Sequence, residues 1–149
     1  MKIISAFVAG LCGMLLASSA NAELSITDDV GRVITLPEPA QRIISLAPHI
    51  TENVFSAGAG DKLVGVVEYS NYPVAAQSLP KVGSYTGFNL ESIIARKPDI
   101  IIAWQSGNAL HKIQPLINLG YQVYITQPFR LEDIAKQIRD IGRLAGTVG

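Results

Sequence analysis

The side chains in this sequence best suited to chemistry are aromatic, and the chemistry they suit is stacking. Val64-Gly-Val-Val-Glu-Tyr69, Val82-Gly-Ser-Tyr85 and Ile100-Ile-Ile-Ala-Trp104 read as three strand-like runs that stop in Tyr69, Tyr85 and Trp104. In parallel α/β folds the carboxyl ends of strands line the ligand crevice. Rings at that edge predict a surface for a large, flat ligand. His49 lies in the loop after Ile43-Ile-Ser-Leu46 and faces the same crevice. An imidazole can ligate a metal, but metal centres draw on several converging ligands. His49 therefore reads as a solvated or capping loop residue, His111 as a helix-surface residue, and no metal site is expected.

Catalytic constellations are missing from the sequence. There is no phosphate-binding loop, no Gly-x-Ser-x-Gly elbow and no paired-histidine metal motif. Gly58-Ala59-Gly60 precedes a strand instead of opening a helix after one, the wrong context for a dinucleotide loop. It reads as a helix end and turn, and the chain is expected to bind without turning its ligand over.

The elements that must position these groups follow from periodicity. Leu24 to Thr27 and Arg32 to Leu36 flank Asp28-Asp29-Val30-Gly31, a pattern that predicts a small β-hairpin, and Pro37 and Pro39 end it. Ile43 to Leu46, Leu63 to Val67, Ile100 to Trp104 and Val123 to Ile125 are short, continuously apolar runs. Such runs mark strands buried on both faces. Between and after them, Thr51 to Ala57, Asn89 to Arg96, Asn108 to Leu119 and Leu131 to Leu144 carry apolar residues at helical spacing. Asn89 and Asn108 are read as N-caps, and Gly58 and Gly120 as helix ends. Pro115 lacks the N–H an interior helical position donates, so the third helix is expected to kink or to begin later than Asn108. Alternating strand and helix predict a parallel α/β layer with right-handed crossovers. Tyr72 and Phe88 are read as packing.

Met1-Lys2, the apolar run from Ile3 to Leu16 and Ala20-Asn21-Ala22 read as a secretory signal peptide over residues 1–22. The apolar run is shorter than the roughly 20 residues that span a bilayer. Cys12, the only cysteine, lies inside it, so the expected mature chain has no disulfide and depends on an ordinary hydrophobic core. Twelve basic residues balance twelve acidic ones, without a basic stripe. Nucleic acid is not an expected partner.

From Arg42 to about Gly146 the chain resembles the substrate-binding proteins of ATP-binding-cassette importers for cobalamin, ferric siderophores and haem, nearest to the cobalamin-binding branch. The resemblance is carried by Ile-Ile-Ser-Leu-Ala-Pro48, Thr51-Glu52, Val-Gly-Val-Val-Glu-Tyr-Ser-Asn-Tyr-Pro73, Asn89-Leu-Glu91, Lys97-Pro-Asp-Ile-Ile-Ile-Ala-Trp104 and Gly107-Asn108. It implies a periplasmic importer component that captures cobalamin or a related corrinoid and delivers it to permease subunits in the inner membrane. The protein is expected to be a monomer, with no cofactor beyond the transported ligand. In such proteins two α/β lobes, joined by one long helix, hold the ligand between them. Residues 23–149 would be the first lobe, in a chain that looks truncated before the linking helix.

By the same resemblance Tyr69, Tyr85 and Trp104 match positions lining the cobalamin cleft, with Pro48 nearby, and Tyr85 stands where the relative has tryptophan. Glu91, in the first turn of a helix, interacts favourably with the helix dipole. The resemblance adds that it matches an exposed glutamate pairing with permease arginines. Asp28-Asp-Val-Gly-Arg32 followed by Pro39-Ala-Gln-Arg42 resembles the leader of many siderophore and haem binders. The alternatives are thus a siderophore or haem binder, for which Arg96 and Arg130 are the candidate cleft cations, and an exported α/β domain with an interaction role.

Overall fold

A computed structural model describes residues 23–148; the signal-peptide reading of residues 1–22 lies outside the described residues. The chain opens with the expected hairpin, β1 (Leu24–Thr27) pairing antiparallel with β2 (Val33–Leu36). Then follow β3 (Ile43–Ser45), α1 (Pro48–Ser56), β4 (Leu63–Val66), α2 (Leu90–Ala95), β5 (Ile100–Trp104), α3 (Leu110–Asn118), β6 (Val123–Thr126) and α4 (Leu131–Ala145). The last four strands form one parallel sheet in the order β4-β3-β5-β6.

The apolar runs lack alternation because both faces of this sheet are covered. Ile43, Ile100, Ile102 and Tyr124 point into a core closed by Ile50 and Val54 of α1, Ile141 and Leu144 of α4, and Ile26 and Ile34 of the hairpin. Their neighbours Ile44, Ile101, Ala103 and Val123 point the other way, against Ile93 of α2 and Ile113 and Leu116 of α3. Phe88 joins that second core, as expected, whereas Tyr72 does not pack: it is largely exposed.

One helix start and one cap differ from expectation, while α3 begins later than Asn108, as Pro115 suggested. α1 begins at Pro48, three residues before Thr51, because proline at the first helical position needs no hydrogen-bond donor and already has a helical φ. α3 begins at Leu110 and runs through Pro115. Its N-cap is Ala109, and the Asn108 side chain caps nothing there.

One polar cluster ties the hairpin to the sheet and to α4. Lys136 reaches Asp140 at 2.7 Å and Asp29 at 3.2 Å, and the buried Tyr124 hydroxyl donates to Asp140 at 2.8 Å. Burial acts against the Lys136 ammonium, but hydrogen bonds and attraction from Asp140 and Asp29 outweigh it and raise the lysine above its ordinary value. Burial, then the Asp140 contact, likewise raises the Tyr124 phenol. The folded chain thus holds both protons more tightly than the unfolded chain, and stability falls as pH rises through the range in which the unfolded groups titrate, about 10 and above. Urea midpoints should hold steady from pH 8 towards 10 and drop beyond it, and Tyr124→Phe should flatten the drop.

Candidate functional site

Strand β3 feeds α1 on one face of the sheet and β5 feeds α3 on the other, so the connections diverge between these two adjacent strands. At such a switch point the loops leave a crevice outside the carboxyl ends of the strands. His49 comes from the first turn of α1 and is half-buried, where a solvated loop position was expected, because the helix already starts at Pro48. Trp104 ends β5, and the two rings meet edge to face, centroids 5.0 Å apart at 85°. Tyr85 lies beside Trp104, with centroids 6.1 Å apart and planes at 40°. These two sequence-predicted rings therefore share one surface. His49, Asn53, Trp104, Ser106, Pro128 and Ile134 line an open hollow of about 290 Å³ beside it.

Only Trp104 ends a strand in the way the sequence suggested. Tyr69 lies three residues beyond β4, and Tyr85 sits in the loop between Gly83 and Phe88, which bridge each other. These segments are drawn to the same edge because the backbone from Pro80 to Gly83 runs alongside the end of β4. Val66 N donates to Pro80 O, Val82 N to Val66 O, and Glu68 N to Gly83 O. Hydrogen bonds join buried Thr51 Oγ1 to Ser45 Oγ at 2.9 Å and to Ser70 Oγ at 3.1 Å. They pin the residue after Tyr69 to α1 and, through Thr51, to the end of β3.

Tyr69 is 76% exposed and makes no ring pairing among the described residues. Its φ of 64° lies in the left-handed region, which costs a non-glycine residue about 1 kcal/mol or more. Backbone in this region recurs at ligand clamps, where it aims a side chain. Pro48 is half-buried at the head of α1, next to His49. Burial lowers the His49 pKa, and its Nε2 is buried without a hydrogen-bond partner among the described residues. Burial thus disfavours the charged form of the ring beside Trp104.

Glu91 is exposed in the first turn of α2, whose N-cap is Asn89 as expected; Asn89 Oδ1 accepts from Ser92 N at 2.8 Å. The two candidate cleft arginines separate. Arg96 lies at the opposite end of the sheet, where its carbonyl accepts from the guanidinium of Arg42, just before β3. It cannot line the crevice, because the C-terminus of α2 leads into the start of β5. Arg130 follows β6 at the carboxyl edge, exposed, 3.8 Å from Asp133.

Sequence reasoning missed Phe129, 82% exposed in the loop after β6. Its place just past an apolar run is the same signal that marked Trp104. A wider hollow of about 550 Å³ lies among Leu24, Arg139, Arg143 and Val148. It carries no ring and adjoins the amino-terminal side of the sheet, where Ala40 N donates to Leu144 O. The paired rings lie at the other edge.

Residues 43–147 match the family model described as periplasmic binding protein. A vitamin B12-binding protein of Vibrio vulnificus is 48% identical over 105 residues, covering 70% of this chain and 38% of the relative. One from Yersinia pestis is 43% identical over 114 residues, 76% of this chain and 40% of that protein. The crystal structure of the periplasmic vitamin B12 binding protein of Vibrio cholerae superposes with a TM-score of 0.71 at 45% identity, over 73% of this chain and 43% of that one. A periplasmic heme binding protein from Pseudomonas aeruginosa follows at 0.63 and 28%, over 72% of this chain and 41% of its own. The chain thus spans about two-fifths of the length of these relatives.

Proposed function

The chain belongs to the periplasmic binding protein family, and from that premise we propose that it is the N-terminal ligand-binding lobe of a cobalamin-capturing component of an ATP-binding-cassette importer. The observation that carries the reading is the ring surface at the switch point: Trp104 and Tyr85 side by side at the sheet's carboxyl edge. Residues 1–22 would direct export to the periplasm, where the protein works as a monomer and binds without catalysis. Residues 23–149 supply one wall of the cleft, and a second lobe, beyond this chain, covers the ligand's other face.

Tyr69, Tyr85 and Trp104 stack on the corrinoid, with Pro48 closing the side of the first loop. Glu91 is exposed in the first turn of α2, and its proposed role is docking to permease arginines. A rim charge of this kind governs association and register more than ligand affinity. Glu91→Arg should therefore leave corrinoid binding unchanged and weaken capture by the permease in a pull-down; unchanged capture would remove the docking role.

Trp104 is the only tryptophan in the sequence, which makes its emission a reporter at the site. Titration with cyanocobalamin should quench it saturably, with a dissociation constant above about 1 μM, because one face of the ligand stays in water. Haem and a ferric siderophore serve as competitors. Haem is the second reading, supported by the similarity to the heme binding protein from Pseudomonas aeruginosa, and a response to haem with none to cobalamin would establish it in place of the first.

A further inference from the structure

Asn108 was expected to cap a helix, yet its side chain is 5% exposed, buried behind the ring surface. Its Oδ1 accepts from Trp104 N at 2.6 Å, while its Nδ2 donates to Leu46 O at 2.9 Å and to Tyr85 O at 2.6 Å. Asn108 N also donates to Trp104 O at 2.9 Å, which closes the turn from the other side. One planar amide therefore joins three segments that are remote in sequence: the loop leaving β3, the loop bearing Tyr85 and the end of β5.

The chemistry of the three partners dictates asparagine. Trp104 presents an N–H and needs an acceptor, whereas Leu46 and Tyr85 present carbonyls and need donors. Aspartate supplies the acceptor but sets a second oxygen against two carbonyl oxygens. Alanine leaves all three backbone groups without this partner. Gly107 fixes the neighbouring degree of freedom, since a Cβ there would fall 1.8 Å from Trp104 Cε3. The indole lies directly over the Gly107 backbone.

We propose that Asn108 is the positioning residue of the ring surface, setting the Tyr85 loop against Trp104 so that both rings are in place before a flat ligand arrives. It does not touch the ligand. Its effect on affinity rests on the cobalamin reading above, but its effect on ring geometry does not, and the two are read separately.

The test uses the near-ultraviolet circular dichroism and emission of Trp104 without ligand, together with a corrinoid titration. Asn108→Asp should retain its far-ultraviolet spectrum while the Trp104 dichroic band shrinks and emission shifts to the red. Corrinoid affinity should fall on the order of tenfold, as loss of an orienting partner does at metal sites. In the parent protein, without any substitution, the Trp104 amide and the Asn108 side-chain amide protons should exchange with solvent as slowly as the interior of β5. Free exchange of these protons, or a folded Asn108→Asp protein whose Trp104 signals match the parent's, would overturn the proposal. If the parent binds no corrinoid, the cobalamin reading fails while the spectral and exchange results still decide the role of Asn108.

Discussion

Replacing Trp104 by alanine should reduce corrinoid affinity by about 30-fold or more, the loss of about 2 kcal/mol typical of a central aromatic anchor. The indole packs partly against the core, meets His49 edge to face and lies beside Tyr85, so it enters the complex with little freedom left to lose. Ordering an interface side chain costs about 0.5–1.5 kcal/mol, and a ring already held by its neighbours avoids most of that. Tyr69→Ala should cost less, because its ring is 76% exposed and has no ring partner among the described residues to hold it. Calorimetry is the suitable measurement, since the Trp104 variant has lost its own fluorescence. Equal affinity losses at Tyr69 and Trp104 would show that pre-positioning contributes nothing, and no loss at Trp104 would remove the ring surface from the binding site.

A second large effect is expected far from the rings. Asp28→Ala should destabilise the fold by about 3 kcal/mol, breaking three hydrogen bonds to a buried carboxylate at once. Asp28 is 4% exposed. Its Oδ1 accepts from Val30 N and Arg32 N, shaping the hairpin turn, and its Oδ2 accepts from Ile125 N at 3.2 Å. β6 is an edge strand, and that contact is one of a series along its open side. Asp29 Oδ2 accepts from Gln127 N, Asp29 N donates to Ile125 O, and the Arg32 guanidinium donates to Val123 O. The hairpin turn thus occupies backbone groups that would otherwise template pairing with another chain. For a domain of this size the loss corresponds to a fall of about 10 °C in melting temperature, and light scattering on heating should rise earlier than in the parent. A melting temperature within about 2 °C of the parent's would reduce the turn to a decoration on the fold.

Most of the architecture is written locally. Four continuous apolar runs separated by segments of helical spacing can satisfy their burial only as a sheet covered on both faces, and the paired cores around Ile100–Ala103 realise that pattern. Asn89 declared its cap correctly because a cap is a contact between a side chain and a backbone N–H three residues away. Residue type alone did not separate Asn89 from Asn108. The partners of Asn108 include Leu46, 62 residues away, and Tyr85, 23 residues away, and no local window contains them.

The same distinction runs through the site. That Trp104 stands at the carboxyl end of a strand was legible from where its apolar run stops, whereas Tyr69 and Tyr85 sit in loops past their runs. That Trp104 and Tyr85 share a surface was decided by which segments meet at the sheet's edge, whereas Arg96 stands at the other end of the sheet because α2 leads into the start of β5. Sequence periodicity determines which faces must be buried, because burial is a property of each element. Only tertiary structure decides which loops meet at the switch point between β3 and β5, because that depends on which strands become neighbours across the sheet.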